Sequence, residues 1–275
     1  MAADRPPTEV TLVIGAGGVR CVAALGVVKA LADAGIGIER VVGCGTGAVF
    51  AALVAFGDPM DASRALAARL WPRELAGGRG MPGFLRSVMG LRDKRATQLR
   101  QLDAAFRDRQ IEGAALPLHL TATDFATGDL VELAYGSLAQ GLRAGLALPP
   151  ALAPQRLGER LLVDGAWADP LPVSVAIRHG ARVIVAVGFE LPLHAQAHGA
   201  RRSADQLAAI LANNLLRAKL AFHSAAHHAE LIMVLPEFRQ RAGLLATDRL
   251  AYLIDEGEQA ALQQLPYLHH LLATA

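Results

Sequence analysis

Short unbroken apolar runs alternate in this chain with longer stretches whose apolar residues recur every three or four positions. Glu9–Ile14 (EVTLVI) is one such run; it stops at glycines and predicts a buried strand. Arg20–Gly35 carries Val22, Leu25, Val28 and Leu31 at helical spacing and closes on Gly35 as a C-cap. Arg40–Cys44 predicts a second buried strand, and Thr46–Phe56 a second helix. Strand, helix, strand, helix in that order implies parallel pairing through crossover helices.

The pattern then changes. Residues 60–110 read as helical but broken, punctuated by Pro72, Gly77-Gly78, Gly80, Pro82-Gly83 and Gly90. Alternation resumes with strands at Leu116–Thr123 and Asp129–Ala134, a helix at Ser137–Ala147 ending before Pro149-Pro150, and Arg160–Val163 leading into Asp164-Gly165. Pro172–His179 reads as helix, Arg182–Val187 as a buried strand, and Ser203-x-x-Gln206 as a capping box opening an amphipathic helix through His228. A strand at Leu231–Leu235 and a helix from about Asp248 complete the pattern. Residues 1–8 are expected to be a loose lead-in and 9–275 one domain, with a lid-like insertion at 60–110 and C-terminal helices with one strand in 200–275.

Composition narrows the picture. At 275 residues and 53% hydrophobic content the chain can bury one substantial core. A net charge of +2 gives no global field for nucleic acid, and no apolar run reaches the ~18 residues of a membrane span. Cys21 and Cys44 do not make a disulfide framework. The N-terminal sequence lacks the order of a signal peptide, so a cytoplasmic protein is expected. Charge is uneven: residues 64–109 hold eleven Lys or Arg against four Asp or Glu. Within that segment GFLRSVMGLR sets Phe84, Leu85, Val88 and Met89 on one face, with Arg86 and Arg92 at its edges. An ordinary packed helix with solvated arginines explains this; the sharper alternative is a lid making peripheral contact with an anionic membrane.

Two glycine-rich turns carry the candidate chemistry. IGAGGVRC (Ile14–Cys21) lacks the third glycine of a dinucleotide fingerprint, having Arg20 there, and lacks the Gly-Lys-Ser/Thr of a P-loop. Glycines between a strand and a helix N-terminus can instead aim consecutive N–H groups at a developing negative charge. VVGCGTGAV (residues 41–49) has the frame of a nucleophile elbow, G-x-S-x-G, but reads Gly43-Cys44-Gly45-Thr46-Gly47. Much later comes LLVDGAWADPLPV, with Asp164-Gly165.

In combination, GAGGVR followed by ALGVVKALADAGI, the elbow, the turn TATDFATGDLVEL and LLVDGAWADPLPV resemble the patatin-like phospholipase family over roughly residues 9–190. The resemblance implies a three-layer α/β/α sandwich around a mostly parallel sheet. It also implies a lipid acyl-ester hydrolase using a Ser–Asp dyad, with no histidine and no cofactor. On that basis Asp164 matches the dyad aspartate, Gly17 and Gly18 the oxyanion loop, and Arg20 the arginine beside it. Gly45 matches the serine. Glycine has no side-chain atom to form an acyl-enzyme, so the covalent route is closed there.

Further departures are Ala16 and Cys21 in the loop, Ala166 after the aspartate, and Gly145 where RAGLALP would carry a small hydroxyl. Cys21 and Gly145 point to divergence rather than a single knockout, and favour a pseudoenzyme retaining a lipid or acyl-ester pocket. The alternatives are an active or formerly active hydrolase in which Gly45 was introduced, a residual hydrolase using water activated by Asp164 or Cys44 as a displaced nucleophile, and an unrelated nucleotide-binding α/β protein. Asp124, in its T-G-D turn, reads as a loop cap. His223 and His227 lie at i, i+4 near His228 and Glu230, but without an H-E-x-x-H pattern no metal is assigned. The protein partner is unknown.

Overall fold

A computed structural model describes residues 9–71, 91–149, 152–191, 193, 200–226, 229–238 and 246–274. The lead-in, the punctuated stretch 72–90 with its Phe84–Met89 face, and His227 and His228 lie outside the described residues.

The first strand, β1 (Glu9–Ile14), is buried on both faces beyond its first residue. Leu12 and Ile14 enter one apolar cluster and Val13 a second, because successive side chains of a strand point to opposite faces. A strand covered on both sides needs helices on both sides, and the sequence supplies them. A 3-10 turn (Gly18–Val22) leads into α1 (Ala23–Asp33), which ends as expected at Gly35 with φ +70. Next come β2 (Gly37–Cys44), α2 (Thr46–Ala55), α3 (Met60–Leu70) and α4 (Leu91–Phe106). The middle of the chain forms β3 (Leu118–Asp124), β4 (Leu130–Leu133), α5 (Leu138–Gly145), β5 (Gln155–Leu157) and β6 (Arg160–Asp164). The rest forms α6 (Val173–Arg178), β7 (Val183–Val187), α7 (Ala200–Ala226), β8 (Glu230–Val234), α8 (Ala246–Leu262) and α9 (Leu265–Thr274).

The strands make one eight-stranded sheet in the order β5-β6-β3-β2-β1-β7-β8, with β4 also on β3. β8, β7, β1, β2 and β3 run parallel; β4 and β6 pair antiparallel with β3, and β5 with β6. This is the three-layer fold with a mixed sheet. The larger cluster packs α1, α2, α3 and α8 on one face, and the smaller one packs α6 and Leu216 of α7 on the other.

Two expectations change. α7 already includes Ala200, so Ser203 sits inside the helix and cannot cap it. The C-terminal helix is two helices, α8 and α9. Strand β5, three residues long and alternating little, gave no periodic signal.

α1 and α8 cross at two glycines. A Cβ at Gly26 would fall 1.9 Å from the Ile254 carbonyl oxygen, and one at Gly257 1.9 Å from that of Ala23. Backbone-to-backbone contact at that range admits no side chain.

Candidate functional site

Strand β3 acts as a ruler. Cys44 at the end of β2 pairs with Thr121, and Asp164 at the end of β6 pairs with the next residue, Ala122. Gly45, which follows Cys44, therefore comes level with Asp164. A Cβ built on Gly45 would stand 3.0 Å from Asp164 Oδ1, 3.4 Å from Oδ2 and 3.1 Å from the Ala16 Cβ.

The elbow is held by close packing. Gly45 has φ +54 and ψ −129, a conformation that costs a residue with a Cβ on the order of 1–3 kcal/mol. Its flanking glycines answer to space: a Cβ at Gly43 would lie 2.5 Å from Ala48 Cα, and one at Gly47 2.4 Å from the Gly15 oxygen. Thr46 begins α2 and is half-buried. Cys44 is buried, and its thiol donates to the Asp169 carbonyl at 3.3 Å. Burial, and then the charge of Asp164, push its pKa well up.

Asp164 is anchored through its backbone. Its N–H donates to Ala147 O at 2.8 Å, its carbonyl accepts Thr123 Oγ1 at 2.8 Å, and its Oδ1 accepts the Ala166 N–H at 2.9 Å. Gly165 and Gly145 both press on Thr121: a Cβ on either would come within 2.7 or 2.9 Å of the Thr121 oxygen. The glycine at 145 therefore has a steric reason in this chain.

The first glycine loop lies across from Asp164. Gly15 N–H donates to Val187 O and Ala16 N–H to Pro170 O, both at 2.9 Å, which ties the loop to β7 and to the segment after Asp164. Gly17 and Gly18 follow; Gly18 has φ +63, and a Cβ at Gly17 would enter the Phe189 ring at 2.5 Å. Arg20 fastens this turn, donating from Nη1 to Glu190 O at 2.7 Å and from Nε to Gly17 O at 3.4 Å. Burial lowers its pKa. Cys21 is buried, donates to Gly15 O at 3.3 Å, and its pKa is raised by burial.

The structure thus brings Gly17, Gly18, Gly45 and Asp164 to one end of the sheet, with Gly43, Gly47 and Gly165 as packing points and Arg20 as a strap. Asp124 caps its turn, accepting the Ala126 N–H at 2.9 Å. The supporting residues Thr121, Thr123, Ala147, Asp169, Phe189 and Glu190 were missed in the sequence. Only the Thr121–Thr123 alternation in TATD and the Asp169-Pro170 pair hinted at them.

Comparison with known sequences bears on this arrangement. The profile of the patatin-like phospholipase family matches residues 12–177, which include both glycine turns and Asp164. The chain belongs to the patatin-like phospholipase family.

Among patatin-like relatives, it is 29% identical over 188 residues to patatin-like phospholipase domain-containing protein 7 of Mus musculus, covering 65% of this chain and 13% of that one. It is 31% identical over 189 residues to patatin-like phospholipase domain-containing protein 6 of Homo sapiens, with the same coverage. It is 32% identical over 164 residues to an uncharacterized NTE family protein of Mycobacterium bovis, covering 60% of this chain and 27% of the relative. The chain therefore spans well under a third of these relatives. In structure it resembles VipD from Legionella pneumophila, with a TM-score of 0.52 at 13% identity over 95% of this chain and 67% of that one. That likeness concerns the fold. Among the described residues, no helix is long and apolar enough to cross a membrane.

Proposed function

We propose that this patatin-like chain keeps a lipid acyl-ester site but has lost hydrolytic turnover at Gly45. One observation carries the reading: the Asp164 carboxylate lies 3.0 Å from where a Cβ at Gly45 would be, at an elbow that retains positive φ. A serine there would set a hydroxyl beside that carboxylate, which could take its proton during attack on an ester carbonyl. The Gly17 and Gly18 amides are assigned to the developing oxyanion, with Arg20 holding their loop. Without the hydroxyl, the remaining donors and base would give at most roughly 10³–10⁴-fold over water.

The flanking residues do not replace it. The Cys44 thiol points to the Asp169 carbonyl and is held protonated by burial, so it has neither the direction nor the charge of a nucleophile. The lipid side of the site is assigned to Trp167 and Phe125, which are 49% and 57% exposed; Trp167 ends the 3-10 turn after β6, and Phe125 follows directly on β3. Membrane contact through the basic 64–109 segment finds less support. Arg109, part of that surplus, forms two bonds to Asp58 at 2.5 and 2.9 Å and lies over the Phe56 ring.

The second reading is an active hydrolase in which Gly45 was introduced, and the positive-φ turn at Gly45 beside the Asp164 carboxylate favours it. Hydrolysis of short and long acyl nitrophenyl esters separates the readings, comparing the chain with Gly45→Ser, Asp164→Ala and the double variant. We expect the parent to be inert. Turnover gained in Gly45→Ser and lost in the double variant would show intact machinery missing only its nucleophile. A folded but inert Gly45→Ser would show that the loop has diverged too. Parent activity that disappears in Asp164→Ala would overturn the proposal.

A further inference from the structure

Among the described residues, the proposed acyl-ester site leaves a cluster of chemically capable side chains unused. On β3, three residues before the position paired with Asp164, His119 turns toward the smaller cluster's face of the sheet. Glu132 of β4 stands beside it, opposite Thr121. His179 caps the C-terminus of α6, where its carbonyl accepts Arg40 Nη1 at 2.9 Å.

These three side chains converge on one point. His119 Nδ1 lies 2.8 Å from Glu132 Oε1, and His179 Nε2 lies 2.6 Å from the same oxygen. The two imidazoles face each other with ring centroids 4.2 Å apart. One ligand atom from each of the three residues falls within a 4.8 Å span. Arg178 holds the other carboxylate oxygen, Oε2, at 2.9 Å, so Oε1 is the atom left facing the rings. His119 is 7% exposed, whereas the His179 side chain is 37% exposed, so the cluster has a buried floor and an open mouth.

We propose that His119, Glu132 and His179 form a transition-metal site, best suited to Zn²⁺, that ties β3, β4 and the end of α6 together. Two imidazoles and a carboxylate are a common three-ligand set for zinc, which takes a water as its fourth ligand. Zinc bonds of about 2.0–2.2 Å place tetrahedral ligand atoms roughly 3.3 Å apart, so each imidazole nitrogen moves back from Oε1 by about half an ångström while the two nitrogens, within 4.8 Å of each other, settle to the same spacing around the ion. Each neutral imidazole moves its proton to its other ring nitrogen and turns a lone pair to the metal, with no net proton released. Arg178 then acts as the outer partner that orients the ligating carboxylate. Its positive charge, and that of Arg40 nearby, weaken the site without blocking Oε1. The open mouth at His179 supplies the entry path and the water.

The test uses the metal alone. The full chain, stripped with a chelator, is titrated with Zn²⁺ in competition with a chromophoric chelator, and separately with Co²⁺ followed by visible absorption. The same is done for His179→Ala, Glu132→Gln and His179→Cys. We expect tight uptake of a single ion by the parent, weakened about tenfold or more in His179→Ala and in Glu132→Gln. In His179→Cys, Co²⁺ should produce a near-ultraviolet thiolate-to-cobalt band that the parent lacks. Zn²⁺ should raise the melting temperature of the parent but not that of His179→Ala. The exposed His179 makes both of its variants safe for folding, which circular dichroism checks. Zn²⁺ uptake equal in the parent and both loss variants would assign the metal to other histidines and overturn the proposal. So would a parent that cannot compete with the chelator, or a His179→Cys protein without the charge-transfer band.

Discussion

The Asp164 carboxylate lies closer than ordinary van der Waals contact to the point where a side chain at Gly45 would begin, Oδ1 at 3.0 Å and Oδ2 at 3.4 Å. The two residues are far apart in the chain and meet because β3 pairs with both β2 and β6, with Thr121 opposite Cys44 and Ala122 opposite Asp164. Their meeting is a property of strand register. A slip of one residue in either pairing would turn every side chain of that strand to the other face and separate them.

Gly45 relieves strain that any side chain would restore. With φ +54, Gly45→Ser and Gly45→Ala should each lower unfolding free energy by about 1–3 kcal/mol, and by similar amounts, since the cost lies in the backbone and the first carbon. Denaturant titration measures it. A Gly45→Ser protein more stable than the parent would remove strain relief as a reason for the glycine.

Both thiols should be silent in the native protein. Cys21 and Cys44 are fully buried, and burial raises the pKa of each, so neither offers an accessible thiolate. A chromogenic aromatic disulfide should label neither without denaturant and both after unfolding. Rapid native labelling of Cys44 would revive it as a nucleophile.

The α1–α8 crossing should be the least tolerant place for a methyl group. Gly257→Ala puts a carbon 1.9 Å from the Ala23 oxygen, so the helices must separate at a cost of about 1–3 kcal/mol or more. Gly113→Ala, where a Cβ meets nothing within 4 Å, should stay within about 0.5 kcal/mol of the parent. Thermal or denaturant melts of the pair check the contrast.

Asp169 should make stability fall as pH rises through the mildly acid range. Its side chain is buried; Oδ1 accepts the Leu171 N–H at 3.1 Å, while Oδ2 faces Lys219 Nζ at the longer distance of 3.6 Å. Burial pushes its pKa from the ordinary 3.8 up to about 6, with the Lys219 charge opposing. A folded-state pKa above the unfolded value means a contribution fully present below pH 3.8 and lost as pH passes about 6. The full loss is roughly 3 kcal/mol. Relative to Asp169→Asn, the parent should lose most of that, about 2 kcal/mol, between pH 4 and pH 7 in urea titrations. A difference independent of pH would show that Lys219 neutralises the carboxylate completely.

Much of this was legible in the residues. Unbroken apolar runs predicted β1, β2 and β7, since strands buried on both faces need no polar alternation. Gly35 ended α1 because a helix C-terminus favours a residue at ease with positive φ. The two glycine turns and Asp164-Gly165 could be read because their chemistry depends on residue type and short spacing. Ser203 misled because a capping box is a local signal, and the helix runs through it from at least Ala200.

By itself, the sequence determined the layer architecture, the family and the run of glycines that leaves position 45 without a side chain, because these depend on periodicity and local identity. Only the tertiary structure decided that the carboxylate of Asp164 faces that position, that Phe189 and Thr121 are what keep Gly17, Gly145 and Gly165 bare, and that Glu132 gathers two histidines from different elements. Those facts rest on strand register and on close contacts between segments distant in the chain, and such contacts leave no periodic trace in a sequence.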